Sequence, residues 1–138
     1  MSKQSTSDPL VWIEWEMTGL DLDADALIEV AVIVTDYELR PQGEGIDVLI
    51  RPPAAALEQM SDFVRKMHTS SGLLAELEGG LPLEQARRQV LDYVRSLVPE
   101  PRTAQLAGNS VGTDKAFLVR DMPELVDHLH YRVVDVSR

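Results

Sequence analysis

Apolar and polar positions alternate in a way that divides the chain into three strands, a helical middle and a mixed end. Residues 10–16 (LVWIEWE) are an apolar run that ends in acids, and the pattern predicts a strand. Met17-Thr-Gly-Leu-Asp21 then predicts a turn, with Gly19 as its flexible point. Residues 26–35 (ALIEVAVIVT) are β-branched and apolar at both parities, as in a central strand. Residues 36–43 predict a hairpin connection into a third antiparallel strand over 45–51, which Pro52-Pro53 ends. The period changes to that of a helix over 54–67, followed by a loop at 68–72, a short helical piece at 73–77 and a break at Glu78-Gly-Gly80. Leu83, Ala86, Val90, Leu91, Val94, Leu97 and Val98 form a helical stripe that stops at Pro99-Glu-Pro101. A short strand over 105–109, a helix from about Asp114 to Arg120, a second helical stretch over 122–130 and a strand over 132–136 complete the chain. The order βββ-α-α-β-α-β predicts an α/β fold with a mixed five-stranded sheet flanked by helices.

One domain is expected, from residue 10 to residue 138, after a flexible N-terminal tail over 1–9. The 138 residues suffice for one core, and 44% hydrophobic with 26% charged residues is an ordinary globular balance. No stretch approaches the roughly 18 apolar residues of a membrane span, and the polar N-terminus has no secretory h-region. Without cysteine there is no thiolate metal site or Cys nucleophile, which fits a reducing cytoplasm. A net charge of -10 argues against gripping long duplex nucleic acid through a basic face. A small anionic substrate held by metal ions and one or two arginines remains compatible with it. The chain stops at Ser137-Arg138, directly after a strand that needs a cover, so a C-terminally truncated form of a longer protein is expected.

The chemistry concentrates in Glu14 and Glu16. On a strand, residues i and i+2 share a face. Two acids on one face repel each other and lose hydration, so the pair calls for a cation or a shared proton. Asp114, after the strand-to-helix turn Gly108-Asn-Ser-Val-Gly-Thr113, is a third candidate ligand, with a helix N-cap as the plain alternative. Three such acids suit a carboxylate cluster for two Mg²⁺ ions about 4 Å apart that clamp a phosphodiester.

Trp12-Ile-Glu-Trp-Glu-Met-Thr-Gly-Leu-Asp21, Ile28 to Asp36, His68 to Leu73, Leu106-Ala-Gly-Asn-Ser110 with Asp114-Lys, and His130-Tyr-Arg-Val-Val-Asp-Val-Ser137 resemble the oligoribonuclease family. These are DEDDh 3′→5′ exonucleases with a ribonuclease-H-like fold, and the resemblance runs in order from about Leu10 to the end. It implies hydrolysis of short RNA, down to dinucleotides, from the 3′ end to 5′-mononucleotides, with Mg²⁺ or Mn²⁺, a homodimer and a cytoplasmic setting. It places Glu14, Glu16 and Asp114 on the first three metal-binding acids. Leu20 falls on the base wedge, Phe63 on a base-stacking position usually held by tryptophan, and His68 near the substrate. Ser110, Arg132 and Ser137 fall on the 5′-phosphate pocket, and Tyr131 on a tyrosine that reaches the partner protomer. Read without the family, Leu20 and Phe63 are core residues, Arg132 a surface arginine and Tyr131 an ordinary strand aromatic.

Two departures stand out. The family has Asp where this chain has Glu14, a carboxylate one methylene longer. The resemblance also implies a general-base His and a fourth acid in a His-x-x-x-x-Asp motif downstream of Arg138, on C-terminal helices that this chain lacks. His130 and Asp135 have that spacing but coincide with the preceding strand motif, so no catalytic base is assigned within the chain. A weak or inactive chain is therefore expected. Alternatives are a non-catalytic nucleotide-binding or dimerisation module, and a DNA-directed exonuclease of the same superfamily.

Overall fold

The computed structural model describes residues 9–109 and 111–136, with the side chains of residues 111–114 outside that description. Five strands form one mixed sheet in the order β3-β2-β1-β4-β5. β1 (Leu10–Met17) pairs antiparallel with β2 (Leu27–Thr35), which pairs antiparallel with β3 (Pro41–Leu49). On the other side β1 runs parallel to β4 (Gln105–Gly108), and β4 parallel to β5 (His130–Asp135). The predicted mixed five-stranded sheet is thus observed.

Parity decides what each strand buries. Val11 and Ile13 on β1 and Val30, Val32 and Val34 on β2 are almost fully buried. Their neighbours Trp12, Glu14, Glu16, Glu29, Ala31 and Ile33 point to the opposite, open face. The covered face packs against α4 (Leu83–Leu97), α5 (Val111–Asp121) and α6 (Pro123–His128) through Ala86, Val90, Val94, Leu118, Met122 and Leu125. α4 begins after Pro82, carries Glu84 in its first turn and Arg95 in its last, and ends where Val98 leaves helical geometry ahead of Pro99. A smaller apolar cluster of Ile28, Leu73 and Leu77, joined by Leu49, Leu57 and Leu74, lies beneath the helices of residues 54–79.

Several boundaries differ from the sequence reading. The third strand starts at Pro41 rather than Gly45, because Asp36 closes a tight turn with Arg40 and the strand resumes at once. Leu39 adopts a φ of 67° in that turn. The expected helix over 54–67 is two helices, α1 (Ala54–Glu58) and α2 (Asp62–Ser70). Ser61 starts the second, its hydroxyl accepting from the Val64 N–H at 3.2 Å. His68 therefore lies in the last turn of α2, not in a loop. α3 (Leu73–Glu76) continues into a 3₁₀ turn, Leu77–Gly79. α5 begins at Val111 rather than Asp114, and β5 at His130 rather than Arg132, so the second helical stretch ends two residues early. Residues 1–8 of the expected tail lie outside the described residues.

Leu118 and Val119 are sequence neighbours on α5, yet the first is fully buried and the second about half exposed. Leu118→Ala should cost about 2–5 kcal/mol in urea unfolding. Val119→Ala should stay within about 0.5 kcal/mol. Equal losses would contradict the described seating of α5 on the sheet.

Candidate active site

The site is built at the carboxyl ends of three parallel strands, where α/β sheets commonly bind ligands. Trp12 lies beside Ala107 in the β1–β4 register, so Glu14 and Glu16 project just beyond the end of β4. α5 begins shortly after β4, and Asp114 sits in its first turn. Asp114 is thus inside the helix rather than at its cap, while its carboxylate belongs to the side chains outside the described residues. Glu14 lines an open cleft of about 450 Å³ with Trp12, Ile33, Gly108, Asn109 and Val136.

Glu14 and Glu16 are exposed on the same face of β1. Sequence reasoning missed two further acids on that face. Glu29 lies directly across from Glu16 in the antiparallel register, and Asp47 sits on the next strand opposite Ala31. Burial, a hydrogen bond shared with Asp47 and the nearby carboxylates of Asp47, Glu16 and Glu76 push the Glu29 carboxyl up to about 7. Among the described residues no ion pair joins Glu14, Glu16, Glu29 or Asp47 to a lysine or arginine. The donors are all carboxyl oxygens, a set that suits a hard divalent cation. Among the described residues no three acid or histidine groups form a complete metal cluster. The chemistry of Glu14 and Glu16 fits such an ion, and they provide only part of its shell.

None of Leu20, Phe63, His68, Tyr131 or Arg132 lines this cleft, and Tyr131 lines a separate one with Arg102, Lys115 and Leu129. Leu20 and Phe63 are not core residues: they are 77% and 78% exposed, on the β1–β2 loop and the first turn of α2. Two hydrogen bonds draw those elements together. The His68 ring nitrogen Nε2 contacts the Met17 carbonyl at 2.9 Å, and Gln59 Nε2 donates to Asp25 Oδ1 at 3.2 Å. His68 is buried, so it braces the end of β1 from inside rather than facing the cleft. Tyr131 is 75% exposed, with the Arg132 guanidinium 5.6 Å from its ring centre. His130 is engaged locally, stacked on Tyr131 and accepting the Arg132 N–H at its Nδ1. Ser110 and Ser137 lie outside the described residues.

The fold and its acid-bearing first strand define a ribonuclease-H-like nuclease architecture. The exonuclease family model RNase_T matches residues 11–138, and the chain belongs to that family. It is 61% identical over 128 residues to an oligoribonuclease of Cutibacterium acnes, covering 93% of this chain and 63% of that protein. It is 63% identical to an oligoribonuclease of Streptomyces coelicolor, covering 95% of this chain and 66% of that protein. The chain thus spans just under two thirds of the length of these relatives. In fold it is similar to the nuclease domain of 3′hExo, a DEDDh family member bound to rAMP, at TM-score 0.63 and 20% identity, covering 94% of this chain and 64% of that one. It is likewise similar to an exonuclease I from Methylocaldum szegediense, at TM-score 0.65 and 19% identity, covering 94% of this chain and 28% of that one.

The raised Glu29 carboxyl has a consequence for stability. Its folded value lies above the ordinary 4.5, so the metal-free native state holds this proton more tightly than the unfolded chain does. That stabilisation is complete below about pH 4.5 and is lost as pH rises through about 7. Thermal melts in EDTA should show the wild type losing stability between those values relative to Glu29→Gln. Parallel pH profiles for the two proteins would refute the protonated Glu29.

Proposed function

We propose that this chain carries the nuclease core of a divalent-metal-dependent 3′→5′ exoribonuclease of oligoribonuclease type. Its substrates are short RNA oligonucleotides, down to dinucleotides, and its products 5′-mononucleotides. The observation that carries this reading is the placement of Glu14 and Glu16 on one open face of β1, beside the end of β4 and ahead of the helix bearing Asp114. The similarity to oligoribonucleases at about 60% identity supports the substrate class.

In this reading Glu14, Glu16 and Asp114 hold two Mg²⁺ or Mn²⁺ ions. When bound, such ions supply Lewis acidity toward the phosphodiester and lower the pKa of a bound water. The chain's own residues bind and orient the substrate. Leu20 wedges against one base and Phe63 stacks on the other, which explains why two large apolar side chains are left in water. His68 holds the Met17 carbonyl and so fixes where the Leu20 loop leaves the strand. Ser110, Arg132 and Ser137 grip the 5′ phosphate, and Tyr131 reaches a partner protomer in a homodimer. A few directed contacts to one phosphate allow an acidic protein to bind RNA without a basic face, and they favour short chains. The setting is cytoplasmic; no helix among the described residues is long and apolar enough to cross a membrane.

Glu14 limits this chemistry. Its extra methylene displaces the carboxylate, and Mg²⁺ tolerates little departure from octahedral geometry. A displacement of about 1 Å can cost on the order of a hundredfold in rate. The chain as it stands is therefore a weak enzyme.

Incubation of the purified chain with a labelled diribonucleotide and Mn²⁺ should release 5′-mononucleotide slowly. Glu14→Asp should accelerate release by on the order of tenfold to a hundredfold. A dinucleotide left intact by both chains, with protein equimolar to substrate, would sink the reading. Phe63→Ala should weaken dinucleotide binding by about 1–3 kcal/mol in a titration with Ca²⁺ in place of Mn²⁺. Unchanged affinity would remove Phe63 from the substrate site.

A further inference from the structure

The loop between β1 and β2 is exposed and carries Leu20, yet it is tightly braced. Thr18 Oγ1 donates to Asp25 Oδ1 at 2.8 Å and accepts the Ala26 N–H at 3.0 Å. The Asp21 N–H donates to Asp25 Oδ2 at 2.9 Å, and the Ala24 and Asp25 N–H groups both donate to the Asp21 carbonyl. Gln59, between α1 and α2, adds a donor to the same Asp25 carboxylate. Gly19 is required beside this hub, because a Cβ there would collide with the Asp25 carboxylate. Burial works against the charge on Asp25, but the hydrogen bonds from Asp21, Thr18 and Gln59, helped by the Arg120 charge, outweigh it and lower its pKa.

One side chain from a distant element closes the loop. Arg120, at the end of α5, donates from Nη1 to the carbonyls of Leu22 and Asp25, the latter at 2.9 Å. Its Nε and Nη2 grip both oxygens of the buried Asp121 carboxylate, at 2.8 and 2.6 Å. The Asp121 carbonyl in turn accepts from Arg87 Nε of α4 at 2.8 Å. The guanidinium is therefore held on one edge by the helical layer while the other edge captures the loop. A planar fork can do this and a lysine ammonium cannot.

We infer that Arg120 is a positioning residue for substrate selection: it locks the Leu20 loop to the same helix that carries Asp114 in its first turn. The distance between the base wedge and the metal-binding end of α5 is then set by one rigid body instead of a free loop. A loop left mobile would lose its ordering entropy on every binding event, and pre-ordering removes that cost. This inference rests on the functional reading above, since it takes Leu20 to contact a base.

The test compares Ca²⁺-supported binding of 5′-phosphorylated diadenylate with binding of AMP, which offers no second base to a wedge. Arg120→Ala should reduce the preference for the dinucleotide by on the order of tenfold, and adding Leu20→Ala should reduce it little further. Arg120→Lys should not restore it. Arg120→Ala/Asp121→Asn serves as the second variant, since it leaves no unpaired buried carboxylate. Hydrogen exchange should show faster exchange at Asp21, Ala24 and Asp25 in each Arg120 variant. An unchanged preference, additive effects of Arg120 and Leu20, or unchanged exchange would overturn the proposal while leaving the function standing. Failure of the wild type to bind either nucleotide would overturn the function and the positioning role together.

Discussion

The pleat of β1 against β2 is the constraint on which the rest depends. Val11 and Ile13 are sealed into the core, so Glu14 and Glu16 are committed to the opposite face. The same register brings Glu29 across from Glu16. A slip of one residue would bury the acids under α4 and expose the valines, a change costing several buried apolar side chains at about 1.5–3 kcal/mol each. Core packing therefore maintains a cluster of like charges that would otherwise disperse. The Glu29 carboxyl, pushed up to about 7 by burial and its acidic neighbours, is the electrostatic sign of that compulsion.

Around this rigid centre the groups proposed to meet the substrate are attached by polar braces rather than by burial. Leu20 and Phe63 are exposed, and exposed apolar side chains do not hold themselves in place. Their loop and helix are held by His68 on the Met17 carbonyl, by the Asp25 carboxylate and by Arg120. The His68, Gln59 and Arg120 contacts join segments far apart in sequence, and each ends on a backbone carbonyl or on the Asp25 carboxylate. The division suits a binding site: the sheet supplies fixed charges, and the hydrogen-bonded rim supplies shape.

Much of this was legible beforehand, and the failures have physical causes. The β-branched run of β2 and the stripe of α4 were clear because periodicity reports burial directly. The break between α1 and α2 was not, because Gln59-Met-Ser61 contains no glycine or proline and Ser61 acts through its side-chain cap. β3 starts early because a turn of Asp36 to Arg40 is tighter than a generic hairpin allowance. His68 was expected in a loop and lies buried in the last turn of α2, since a polar ring at the end of an amphipathic helix can turn inward when a carbonyl awaits it. Leu20 and Phe63, core residues by hydropathy, are exposed; only the resemblance to oligoribonucleases assigned them a surface role.

By itself the sequence determined most of the elements, the shared face of Glu14 and Glu16 and the resemblance to the exonuclease family, because strand parity and motif order are local properties that survive without coordinates. Only the tertiary structure decided which acids meet. Glu29 and Asp47 join the cluster through cross-strand register, and Arg120 reaches a loop about a hundred residues earlier through helix packing. Those relations depend on how the elements stack, and no one-dimensional period encodes the distance between two strands or between a helix end and a loop.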